Sequence, residues 1–143
     1  MSDLDKIYAV VDTNVIVSAM LSSNKTSNPN IVVRALNTGL ITPLYNDIII
    51  NEYKEVLSRP QFKLNQYQIE FFIETLKKFG IKTEAVRVNC ELFPDRDDVV
   101  FYAVRMAVDD SYLVTGNIKH FPKKPFVVTP AEMVLILKEK NLI

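Results

Sequence analysis

Glycine, cysteine and histidine are scarce in these 143 residues, and each scarcity closes off a class of chemistry. The three glycines, Gly39, Gly80 and Gly116, lie too far apart to cradle a phosphate, and neither GxGxxG nor a P-loop occurs. Cys90 is alone, so there is no intramolecular disulfide and no cysteine-based zinc site, and a reducing, cytoplasmic setting is expected. His120 is alone, which excludes a metal site built on two or more histidines. Neither charge dominates: Lys+Arg and Asp+Glu are both 17, a net charge of +0. That leaves no long basic arm or acidic tail, and any nucleic-acid partner must be met by a local patch. No apolar run approaches the roughly 18 residues of a membrane span. The opening MSDLDKIYAVV has no basic region leading into a long apolar stretch, so no signal peptide is expected.

What is present suits one globular domain over residues 1–143, with 48% hydrophobic and 24% charged residues. No repeat or composition break divides it; the softest stretch is the polar loop LSSNKTSNPN, residues 21–30. Short apolar runs alternate with helical patterns. Ile7–Val11 reads as a buried strand that stops at Asp12, and Thr13–Leu21 as the helix that follows. Helices are then expected over Pro29–Leu36, from an Asn46 cap to about Arg59, and over Asn65–Phe79, with strands at Ile41–Leu44 and Thr83–Val88. A helix over Asp97–Val108, strands at Tyr112–Thr115 and Phe126–Val128, and a capped helix Ala131–Glu139 complete the pattern. Such alternation predicts a three-layer α/β/α sandwich with a central, mostly parallel sheet. The site is expected at the carboxyl ends of its strands, where Asp12 and the segment Thr115–Asn117 fall.

Three acids stand out. Asp12, between strand and helix, suits either an N-cap or a rigidly held metal ligand, with Thr13 and Asn14 as polar support. Set Ile48 at zero on a helical wheel and step 100° per residue. Glu52 then falls at about 40°, inside the apolar arc of Ile48, Ile49, Ile50, Tyr53, Val56 and Leu57. An acid there must be paired, snorkel to the margin or bind a cation. Asp98 shares the one polar stripe of an otherwise apolar helix with Arg105 and Tyr102, and DRDD holds more acids than helix capping requires. Asp109 and Asp110 read as a solvated turn. Tyr45, Tyr53, Phe71, Phe72, Phe101, Met106 and Met133 read as core.

Four pieces resemble the PIN-domain family of metal-dependent nucleases, in the family's order. They are Val11-Asp12-Thr13-Asn14-Val15; Glu52-Tyr53-x-x-Val56-Leu57-x-Arg59-Pro60-x-Phe62; Asp95-x-x-Asp98-x-x-Phe101-Tyr102; and Tyr112-Leu113-Val114-Thr115-Gly116-Asn117. The resemblance runs from Tyr8 to the last helix and looks closest to bacterial VapC-like toxin components of toxin–antitoxin pairs. It implies that the family's first three acids are Asp12, Glu52 and Asp98, gathered at one end of a parallel sheet. The usual fourth acid is Asn117 here, and Ala103 stands where similar sequences often carry Glu.

The chemistry implied is hydrolysis of RNA phosphodiesters. Oxygen ligands without Cys or His select Mg²⁺ or Mn²⁺. Asp12, Asp98 and Glu52 are the expected metal residues, with Glu52 and Asn117 orienting bound waters and Thr13, Asn14, Asp95 and Thr115 in support. Arg59, Lys63, Lys119, His120, Lys123 and Lys124 are candidates to steer the phosphate backbone. A cognate antitoxin and a homodimer are the implied partners, with no membrane contact. The alternative reading is a catalytically weakened relative that binds RNA or a protein, motivated by Asn117 and Ala103. A phosphorylated receiver domain ranks lower, because no strand-end Asp occurs mid-chain and no acid pair accompanies Asp12.

Overall fold

The computed structural model describes residues 6–143. Five strands form one sheet: β1 (Ile7–Val11), β2 (Ile41–Tyr45), β3 (Ile81–Lys82), β4 (Ser111–Val114) and β5 (Val127–Val128). Their order is β3-β2-β1-β4-β5 and every pairing is parallel. The chain therefore builds outward from β1 in one direction, then returns to its other side with β4. That reversal makes the β1–β4 boundary the topological switch point, where open α/β sheets leave a crevice. β1 and β4 are apolar on both faces: Ala9, Val10, Leu113 and Val114 are fully buried.

Six helices cover the sheet: α1 (Thr13–Leu21), α2 (Asn28–Asn37), α3 (Asp47–Leu57), α4 (Gln66–Phe79), α5 (Val99–Met106) and α6 (Pro130–Glu139). α2 packs against α1, α4 and α6, while α5 packs on β1, β2 and β4, giving a three-layer α/β/α sandwich. None of the helices is long and apolar enough to cross a membrane among the described residues.

Local chemistry sets the ends of these elements. Asn46 Oδ1 accepts from Ile49 N at 2.9 Å and starts α3. Asn65–Gln68 and Thr129–Glu132 form reciprocal capping boxes on α4 and α6. Gly39, at φ +81°, turns the chain after α2. Gly80 ends α4 for a different reason. Its backbone is extended, but a Cβ there would lie 2.6 Å from the Leu76 carbonyl oxygen and 2.8 Å from that of Pro43.

The structure corrects several expectations. No strand forms over residues 83–88. After Lys82 one further ladder bond, Thr83 N to Tyr45 O at 2.8 Å, is made, and the Val86 amide then turns to the Ala103 carbonyl of α5. The helix expected from Asp97 opens as a 3₁₀ turn, Arg96–Asp98, before α5 proper. Phe71 is 69% exposed because Phe72 beside it takes the core position. Ile48 and Met106 are also exposed: the buried face of α3 is Ile49, Ile50, Tyr53 and Leu57. Glu52 thus flanks that face instead of lying within it. Met133 and the solvated Asp109–Asp110 turn are found as expected.

Candidate metal centre

Two backbone bonds fix the floor of the site. Asp12 N donates to Val114 O at 2.9 Å, and Thr115 N donates to Val128 O at 2.9 Å. The parallel ladder thereby continues one residue beyond β1 and β4, and rigidly places both side chains at the switch point. Thr115, fully buried, donates its hydroxyl to Asp12 Oδ2 at 2.8 Å. Asn14 Nδ2 donates to the same oxygen at 3.0 Å, while Asn14 Oδ1 accepts from Gly116 N at 3.0 Å. Asn14 so stitches the loop after β1 to the loop after β4. Asp12 does not cap α1 with its side chain; its carboxylate faces this network.

Glu52 arrives from α3. Its neighbour Tyr53 is buried and donates its hydroxyl to the Val11 carbonyl at the end of β1, which moors the helix to that strand. Thr13, the first residue of α1, donates its hydroxyl to Glu52 Oε2. Asp98 arrives from the 3₁₀ turn, which Asp95 caps by accepting from Asp97 N at 2.9 Å. Below it, α5 anchors in the core through Phe101 and Val104.

Asp12, Glu52, Asp95, Asp97 and Asp98 line one cleft of about 360 Å³, with Val17, Val56 and Phe62 as apolar walls. No lysine or arginine lines it. Like charges brought together and partly dehydrated resist ionisation. The Asp12 carboxyl is pushed up from 3.8 to about 6, chiefly by burial, with the Asp98 charge adding to it and the Thr115 hydrogen bond opposing it. Glu52 is raised by burial and then by Asp12, Asp97 and Asp95, against the pull of the Thr13 hydroxyl. Asp98 is raised by burial and then by Asp95, while His120 draws it down. The Tyr53 hydroxyl is raised well above its ordinary range, first by burial and then by Asp12 and Glu52.

A divalent cation suits this donor set. All of the acidic donors are oxygens, and the charge is of one sign. Among the described residues, no three Asp, Glu, His or Cys side chains are drawn into a ready-made cage. Mg²⁺ does not require one, since it keeps several waters and takes one or two carboxylates directly.

The remaining expected residues are less gathered. Asn117 is exposed at the rim, its backbone amide bonded to Thr115 Oγ1 at 2.9 Å, and its side chain does not line the cleft. Arg59 is exposed and pairs with Glu55 at 3.1 Å, and Lys63 follows it in a left-handed turn. Lys119 is exposed on the 3₁₀ turn Ile118–His120. Lys123 and Lys124 lead into Pro125 and Phe126, which border a larger hollow of about 630 Å³ at the amino ends of the strands. That hollow mixes Lys6, Arg105 and Lys140 with Asp109 and Asp110, so it lacks the one-signed charge of the cleft.

Asp97, expected as a capping acid, lines the cleft beside Asp98. His120, expected among the groups that meet the substrate, has its Nδ1 3.3 Å from Asp98 Oδ2. No periodicity could have signalled that contact across a loop and two secondary elements.

A family model described as the PIN domain matches residues 8–119, well over half of the chain. Comparison with curated proteins gives no match. PIN domains are in general nucleases that use divalent metal ions, and the matched segment holds Asp12, Glu52, Asp98 and Thr115 together with β4 and all but the first residue of β1. On the match and the sheet order together, this chain belongs to the PIN-domain family.

Proposed function

We propose that the protein is a metal-dependent endoribonuclease, the cytoplasmic toxin component of a toxin–antitoxin pair. One observation carries the nuclease reading: Asp12, Glu52 and Asp98, from three separate elements, face one cleft where burial first, and neighbouring acids second, hold their carboxyls above the ordinary range. Asp12, Asp98 and Glu52 would hold Mg²⁺ or Mn²⁺. Such an ion would supply Lewis-acid activation of water and charge neutralisation at the phosphodiester.

The chain's own residues prepare that chemistry. Thr115 and Asn14 both donate to one oxygen of Asp12 and fix its carboxylate beside the cleft. Thr13 fixes Glu52 in the same way. Val17, Val56 and Phe62 form the apolar wall beside the acids. Asn117 at the rim orients water or phosphate without adding negative charge. Arg59 and Lys119, outside the acidic cleft, meet the flanking phosphates of the RNA. Apolar exposure at Tyr67 and Phe71 on α4 supports a protein partner, assigned here to the antitoxin.

The alternative, an RNA- or protein-binding module of weakened activity, draws support from Asn117 and from the lack of a preassembled cage among the described residues. Cleavage of RNA and of single-stranded DNA in Mg²⁺, Mn²⁺ and chelator separates the two readings. The nuclease reading expects RNA cleavage that chelation stops and that Asp12→Asn or Asp98→Asn abolishes. Wild-type rates in either variant would overturn it. Absence of Mn²⁺ binding at millimolar concentration by calorimetry would favour the binding module.

A further inference from the structure

Asp98 is held unequally. Its Oδ2 is buried and faces His120 Nδ1 at 3.3 Å, while the side chain as a whole keeps 13% of its surface open. The open part is therefore not Oδ2. His120 closes one oxygen of the carboxylate and leaves the remainder to the cleft.

The contact is not a chance meeting of surface chains. His120 ends a 3₁₀ turn closed by its own amide on the Asn117 carbonyl at 2.9 Å. The next residue, Phe121, is buried and packs edge-on against Phe93, with ring centroids 6.1 Å apart at 88°. Phe93 packs in turn on Tyr102 at 5.4 Å. Phe93 lies just ahead of the turn that carries Asp98, and Tyr102 lies on the helix just after it. The aromatic cluster thus clamps the backbones on both sides of the pair.

We propose that His120 is a positioning residue for Asp98: its Nδ1 fixes the carboxylate so that the other oxygen is presented to a cation in the cleft. This rests on the metal-dependent reading above, and it moves His120 from the substrate's phosphates to the carboxylate's far side. Groups that hold a ligating carboxylate or imidazole from behind commonly change metal affinity by about 10- to 100-fold when removed. An exposed ion pair of the ordinary kind contributes little to folding stability, so stability is the wrong readout and metal affinity the right one.

The test uses the full chain and Mn²⁺ alone as the probe, titrated by calorimetry against wild type, His120→Ala, His120→Asn and His120→Gln. An asparagine amide nitrogen reaches about where Nδ1 stands; that of glutamine reaches about where Nε2 stands. Affinity should fall about tenfold or more in His120→Ala and His120→Gln and return in His120→Asn. Equal affinity in all four folded proteins overturns the proposal, as does a loss in His120→Asn equal to that in His120→Ala.

A second arm needs no metal. His120 is the only histidine, so its ring ¹⁵N resonances need no assignment. In chelator at alkaline pH, the neutral ring should carry its proton on Nδ1 in the wild type. It should revert toward the Nε2 form in Asp98→Ala. Identical spectra overturn the proposal. If wild type binds no Mn²⁺ yet the tautomer depends on Asp98, the metal-dependent reading fails while the positioning of Asp98 by His120 stands.

Discussion

Replacing Asp12 by asparagine should abolish cleavage and at the same time stabilise the metal-free protein. The two side-chain hydrogen bonds that Asp12 receives fall on Oδ2, from Thr115 at 2.8 Å and Asn14 at 3.0 Å, and the Thr13 backbone amide is a further donor to the carboxylate. An asparagine oxygen can take that place and keep both, while the buried charge and its repulsion with Asp98 disappear. The folded carboxyl keeps its proton up to about 6, against 3.8 ordinarily. Between those values the folded state binds more protons than the unfolded one, so stability falls as pH rises through the window and the deficit is complete above it. At about 1.4 kcal/mol per pH unit of displacement, the charged form costs the metal-free fold roughly 3 kcal/mol at neutral pH. The asparagine gives up the extra strength of hydrogen bonds to a charged acceptor, so the net gain is roughly 1–3 kcal/mol. Melting in chelator should rise by roughly 3–10 °C for a chain of this size. The gain should shrink by about half near pH 5 and mostly vanish near pH 4, because the wild type then carries the proton itself. Added Mg²⁺ should stabilise the wild type and leave the variant unmoved. A variant that melts below wild type at neutral pH, or a gain independent of pH, would refute the burial argument.

Three further outcomes follow from the same geometry. Thr115→Val keeps the shape and deletes the donor to Asp12, pushing that carboxyl higher still. The metal-free fold should lose about 1–3 kcal/mol at neutral pH and less in acid, with Thr115→Ser restoring it, and equal losses at both pH values in denaturant titrations would contradict this. Tyr53→Phe removes the hydroxyl that moors α3 to β1, leaving the buried Val11 carbonyl short of a donor. It should cost about 1–3 kcal/mol by chemical denaturation and lower the cleavage rate as Glu52 loosens; full activity in a folded variant would detach that mooring from the site. Gly80→Ala forces a Cβ to within 2.6 Å and 2.8 Å of two carbonyl oxygens, so the α4–β3 junction must shift. It should be more destabilising than any exposed Gly→Ala change in the chain, which thermal melting would check.

Much of this fold was legible because its signals are local. The bounds of β1 and α1 follow from a run of branched residues ending at Asp12. The caps at Asn46 and Thr129 follow from side chains that accept from amides three residues ahead, whereas Asn65, expected as the first residue of its helix, proves to be its cap. The 83–88 segment misled because its valines suggest a strand, while its amides had no free strand edge within reach and one turned to α5 instead. Phe71 and Met106 misled because apolar character does not say which side of a helix finds neighbours.

The sequence alone determined the identity of the acids, the alternation of strand and helix, and the absence of any cysteine or multi-histidine metal chemistry, since each is fixed by residue type or short-range spacing. Tertiary structure alone decided that β1 and β4 lie side by side, which lets Thr115 hold Asp12 across 103 positions of chain. It also brought His120 Nδ1 to within 3.3 Å of Asp98 Oδ2. The physical reason is that a carboxylate's role depends on what dehydrates it, what repels it and which of its oxygens is already taken. Those neighbours come from remote segments, brought together by sheet order and core packing.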